Sequence, residues 1–274
     1  MNPMGITGRL TFAAAVAGLG IISLSTGHFA AVWQPVPGTL PARTALAYAN
    51  GALMAALGAA LLLRRARAFA ALAVSAYLIV WLVLLRVPIV AAAPGIADHW
   101  AGIGENATLI VGGLLTLALA PAARTDFQRS ITARRAVRLG RIIFALALML
   151  MSLDNLAYLQ ANADFPPAWI AHWLGWGYLV GLAYIAAGLA VLFGLAARLA
   201  AIMTAWMMSA LTVLCWGSFV LQAPANRTNW TGLMISSALT GAAWLVASSY
   251  AADRRHSSPG SDTAAMTRVA RAGP

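Results

Sequence analysis

The chain has 274 residues, of which 61% are hydrophobic and only 9% charged, with a mean hydropathy of +0.79. A soluble domain carries about 25% charged residues, which excludes a water-soluble globule, and recurring apolar runs near 20 residues exclude a transmembrane barrel, whose segments are shorter and alternate. The formal net charge of +11 comes entirely from arginine, placed mostly in connections and tails, which argues for membrane topology rather than a nucleic-acid surface.

Hydropathy predicts eight spans, at 9–29, 43–63, 68–89, 102–120, 139–159, 172–193, 197–221 and 230–250. The first, "LTFAAAVAGLGIISLSTG" after Arg9, has the look of a signal peptide. Its counterpart in the fifth span is internal, so the first is expected to be retained. The basic stretch "PAARTDFQRSITARRAVRLGR" at 121–141 separates two sets of four spans. The tail from 252 to 274 is polar, rich in small residues and expected to be disordered.

An internal repeat organises the chain. With a shift of 130, Pro37 meets Pro167, Gly51 meets Gly181, Gly58 meets Gly188, Trp100 meets Trp230 and Gly102 meets Gly232. Four spans per unit is an even number, so both units are expected to insert in the same direction. The expected fold is an all-α membrane protein of eight transmembrane helices, arranged as two parallel-repeat four-helix bundles. Its parts are a first repeat at 1–121, a basic cytoplasmic linker at 122–137, a second repeat at 138–251 and the tail.

Fifteen arginines fall on one set of connections and only Arg43, Arg86 and Arg227 on the other. Positive residues stay inside, so both termini are expected in the cytoplasm of a bacterial inner membrane. Trp33, Trp100, Trp169, Trp173, Trp176 and Trp230 are the candidates for an outer aromatic belt. Gly177, Gly181 and Gly188 share a helical stripe, matched in the first half by Ala47, Gly51 and Gly58. Small residues at this spacing let helices approach closely in lipid. Met54 and Tyr184 interrupt the stripes, so close approach is expected only at their outer part.

Polar residues within spans are costly and often functional. Those in this chain gather towards the outer side: Glu105, the only glutamate, with Arg86, Asp154, Asn155 and His28, and with His99 and His172 nearby. Glu105 near a helix N-terminus is also favoured by the helix dipole, and Arg86 is within reach of it if spans three and four are antiparallel neighbours. The histidines and carboxylates match no metal-site spacing, so no metal is expected. Cys215 lies alone in an apolar run and reads as a small packing residue. The repeat pairs Glu105 with Ile235 and Arg86 with Trp216, so any site is expected to be single and composite rather than duplicated.

The stretch "RLGRIIFALALMLMSLDNLAYL" at 138–159, the loop "DFPPAWI", the glycine-rich helix "GYLVGLAYIAAGLAVLFGLAARLAA" and the closing "NWTGLMISSALTGAAWLVA" resemble the DoxX family of small membrane proteins. The first half resembles a more divergent copy. Many members of that family carry a glutamate near the start of the fourth helix, where Glu105 fits and Ile235 departs. The resemblance implies an accessory or quinone-interacting subunit of a membrane redox system, with a quinone as the non-covalent cofactor. It also implies a membrane or periplasmic redox partner in addition to the bilayer, and no nucleic acid. Two other readings stand beside it. One is a non-enzymatic scaffold. The other is a small-solute transporter, ranked last because no helix is broken by Gly or Pro in matching mid-span positions.

Overall fold

The computed structural model describes residues 2–120, 127–167 and 169–254, excluding the side chains of 127–130 and 252–254. Among these residues the chain is all helical, and eight helices are long and apolar enough to cross a membrane. They are α1 Pro3–Thr26, α2 Arg43–Leu62, α3 Arg67–Ala92, α4 Ala97–Ala118, α5 Phe127–Ala157, α6 Gly175–Phe193, α7 Ala197–Gln222 and α8 Arg227–Arg254. A short helix, Leu159–Asp164, follows α5. Helices suit this composition because a bilayer offers backbone N–H and C=O groups no partners, and a helix satisfies them within the segment.

The helix ends follow from local chemistry. Asn2 caps α1 by accepting a hydrogen bond from the Gly5 N–H at 2.9 Å, and Gly27 ends it at φ 67°, a conformation that glycine adopts without penalty. α5 begins about a dozen residues earlier than hydropathy suggested, so residues 127–137 of the expected linker are helical. Residues 121–126 and the tail from 255 lie outside the described residues.

Both α3 and α7 contain one π-helical turn, at Leu82–Arg86 and Thr212–Trp216, 130 residues apart. The chain does interrupt matching helices, through a widened turn, with Pro88 just after the first and Gly217 just after the second. Other details recur at the same offset. The Trp100 indole N–H donates to the Pro94 carbonyl at 2.8 Å, and Trp230 donates to Pro224 at 2.8 Å.

α4 and α8 are the central helices. Two thirds of each apolar span (67%) is buried, against 22% for α3. They pack on each other, and the remaining neighbours follow the chain: α1 on α2, α2 on α3, α3 on α4, α4 on α5, and so on to α7 on α8. The ring is closed by α8 on α1. The extensive contact of α1 is therefore with α8, not α4, and that of α4 is with α5. The two sequence halves do not sit side by side as separate four-helix bundles. Each lends its first helix to the last helix of the other.

Glycine explains this arrangement. A Cβ added to Gly8 on α1 would fall 2.7 Å from the Gly241 carbonyl of α8, and one on Gly104 of α4 would fall 2.6 Å from the Ala147 carbonyl of α5. Backbones this close exclude any side chain between them. The expected stripes also act by close approach. A Cβ on Gly51 would lie 2.8 Å from the Gly20 carbonyl, one on Gly188 2.8 Å from that of Ala145, and one on Gly58 would collide with the Ala17 backbone. Gly177 faces the Asn155 carbonyl and Gly181 the Leu156 side chain. Contact is thus not confined to the outer part of the stripe, because Met54 and Tyr184 turn into the interior beside it.

Gly58→Val is expected to destabilise the protein by about 1–3 kcal/mol, because the added side chain must push α1 off α2. Gly38→Ala, where nothing lies within 4 Å, is expected to be silent. Thermal unfolding of detergent-purified protein followed by circular dichroism checks both, and an unchanged Gly58→Val melt would rule out the close contact.

Candidate functional site

A cavity of about 580 Å³ lies among α4, α5, α6, α7 and α8, between the loop that follows α1 and the loop that joins α5 to α6. Its volume is typical of pockets that hold small molecules. Its wall is mixed. Trp33, Trp176, Trp216, Phe165 and Tyr184 supply aromatic surface, and Asp98, Glu105 and Asp154 supply three carboxylates.

α4 places two of the acids by spacing alone. Asp98, Ala101 and Glu105 are three and four residues apart, which puts them on one helix face, and all three line the cavity. Asp154 and Asn155 enter from the last turn of α5. The Asn155 amide donates to its own helix at the Met151 carbonyl, 3.0 Å away. Glu105 makes no ion pair and no side-chain hydrogen bond among the described residues. The charges acting on it are Arg86, Asp98 and Asp154.

Arg86 is buried behind the wall rather than in it. The π turn aims its guanidinium over Gly102, where a Cβ would clash with it, and Nη2 donates to the Val32 carbonyl at 3.4 Å. The direct Arg86–Glu105 pair expected from their neighbouring helices does not form: the guanidinium lies over Gly102 and reaches Val32, and its Nε is buried without a hydrogen-bond partner. In the second half Trp216 occupies the corresponding place over Gly232 and lines the cavity.

The loop after α1 carries backbone strain. Val32 has φ 64°, a region that β-branched residues avoid, at the centre of a γ-turn closed by Trp33 N–H to the Ala31 carbonyl at 2.6 Å. The turn throws Val32 outward, 74% exposed, and drives Trp33 inward, 3% exposed. Trp33 therefore belongs to the cavity wall, not to an aromatic belt. Its indole N–H is buried without a hydrogen-bond partner. Strain of this kind collects at functional sites.

The remaining expected residues lie elsewhere. His28 is exposed just beyond the end of α1 and does not line the cavity, because Gly27 turns the chain away there. His99 contacts the Ala93 carbonyl at 3.2 Å, and His172 pairs with Asp164 at 3.1 Å on the surface. Among the described residues no three His, Cys, Asp or Glu side chains gather as metal ligands. Cys215 is buried in the π turn of α7.

The corresponding interior of the first half is closed. Gln34, Asn50 and Tyr77 bond to one another there: Tyr77 Oη donates to Asn50 Oδ1 at 2.6 Å, Asn50 Nδ2 donates to Gln34 Oε1 at 3.3 Å, and Gln34 Nε2 donates to Tyr77 Oη. The Ala30 N–H adds a bond to Gln34 Oε1 at 3.0 Å. Their counterparts at the 130-residue offset are Asp164, Val180 and Met207, and Val180 lines the open cavity. The sequence gives no local sign of this network, because its members come from three separate elements. Asp98 was legible from its spacing to Glu105.

Tyr77→Phe removes a donor from buried Asn50 and an acceptor from Gln34, and is expected to cost about 1–3 kcal/mol of stability. Tyr184→Phe, whose hydroxyl has no such partners in the cavity wall, is expected to change stability by less than about 0.5 kcal/mol. Paired thermal melts in one detergent check the difference.

No protein-family model, curated protein or solved structure matches the chain.

Proposed function

We propose that the chain is a DoxX-like, tandemly duplicated protein of a bacterial inner membrane with both termini in the cytoplasm. In this reading the cavity holds a quinone as part of a membrane redox system, with electrons exchanged through a membrane or periplasmic partner. The observation that carries it is Trp33, a wall residue whose indole N–H is buried and unpartnered, in a cavity that also holds Glu105 and Asp154. A bound quinone or quinol supplies two-electron chemistry coupled to two protons. The aromatic and apolar wall suits a flat ring. Trp33 supplies a donor for a ring carbonyl, and an unpaired buried donor gains the full value of such a bond. Glu105 and Asp154 are placed to take up or deliver the protons.

The acidity of the wall favours one other occupant. Its three charged residues are all carboxylates, and aromatic faces attract cations, so a lipophilic organic cation fits the same space.

Titration of the purified protein with a short-chain ubiquinone analogue, followed by quenching of tryptophan emission, separates the two. Saturable quenching is expected, with binding about 5–10-fold weaker for Trp33→Phe, which loses one hydrogen bond. Absence of saturable quenching sinks the quinone reading. If tetraphenylphosphonium then binds and Glu105→Gln abolishes that binding, the cationic reading replaces it.

A further inference from the structure

A second concavity, of about 830 Å³, lies at the opposite end of the second half, where the middle of α5, the end of α6, the start of α7 and the end of α8 meet. Arg138, Arg141 and Arg198 line it, and no acid is among the described residues of its wall. The Arg141 guanidinium is fixed, stacked 3.7 Å over the Tyr250 ring and bonded through Nε to Ser249 Oγ at 2.9 Å. Arg198 Nε is buried without a hydrogen-bond partner. From this basic floor the groove runs onto apolar side chains, Phe193 and Leu199, that are 68% and 61% exposed on helices long enough to span lipid.

The first half shows why the groove is open. At the matching position stands Arg67, 8% exposed, whose Nε donates to the Leu61 carbonyl at 3.2 Å and Nη2 to Leu62 at 3.3 Å. That guanidinium caps α2 and fills its own corner. Its counterpart 130 residues on is Ala197, which lines the groove and leaves that volume empty of side chain.

We propose that this groove binds the phosphodiester of an anionic glycerophospholipid, with the acyl chains laid along the exposed faces of α6 and α7. Arginine pairs with phosphate through geometrically matched donors, and basic pockets between membrane helices favour anionic headgroups. The apolar exit distinguishes a lipid from free phosphate.

Native mass spectrometry of the full chain in detergent tests this with phosphatidylglycerol, phosphatidylcholine and inorganic phosphate as probes. Wild-type protein is expected to retain phosphatidylglycerol in preference to phosphatidylcholine. Arg198→Gln is expected to lower that retention about five-fold, the worth of one arginine near a headgroup. Ala197→Arg, which restores the first-half residue, is expected to lower it at least as much. Arg65→Gln, a basic residue outside the groove, is expected to leave it unchanged. Equal retention of the two lipids, displacement of lipid by an equal concentration of inorganic phosphate, or an Arg198→Gln result matching Arg65→Gln would each overturn the proposal. Should Ala197→Arg fail to fold, Arg198→Gln decides alone.

Discussion

Apolar side chains gain nothing by leaving lipid for one another, so the helices of this chain must be held by something other than the hydrophobic effect. Close backbone contact at small residues supplies it. Gly8 meets Gly241, Gly20 meets Gly51, Gly58 meets Ala17, and Gly104 meets Ala147. Two of these four contacts join one sequence half to the other. They fix α4 and α8 at the centre and close the ring through α1 and α8. The cavity depends on that exchange, since Asp98 and Glu105 reach it only because α4 packs against α5.

The repeat then reads as a comparison of two interiors built on one plan. In the first, Gln34, Asn50 and Tyr77 satisfy one another and fill the space. In the second, Val180 stands where the first has Asn50 and a cavity remains. The same contrast appears at the other end of the molecule, where Arg67 occupies its corner and Ala197 vacates one. Filling one copy with its own polar groups keeps the scaffold stable, because buried polar groups that bond to each other cost little. The other copy is free to diverge. Beneath the matched glycines the divergence is complete, with a guanidinium under Gly102 and an indole under Gly232.

Much of this was legible in the chain. The eight apolar spans, the matched glycines and the gathering of Glu105, Asp154 and Asn155 towards one end of the spans follow from hydropathy and spacing. Spacing also held Asp98, two helical turns before Glu105. Arg86 and His28 were misplaced for different reasons. Arg86 is turned aside by a π turn, just before Pro88, that hydropathy does not register, and His28 follows a left-handed glycine that ends its helix. Trp33 was assigned to the membrane surface, where tryptophans near span ends commonly lie, but a strained turn at Val32 sends it inside.

By itself, then, the sequence determined the element type, the number of spans and which helix faces are small enough to touch. These are properties of local composition, set by the need to satisfy backbone groups within each span. Only the tertiary structure decided which helices pair across the halves, which polar residues share a wall and which interior stays open. Each of those depends on where a side chain points after helices from distant parts of the chain have packed, and a single π turn or left-handed residue is enough to redirect it.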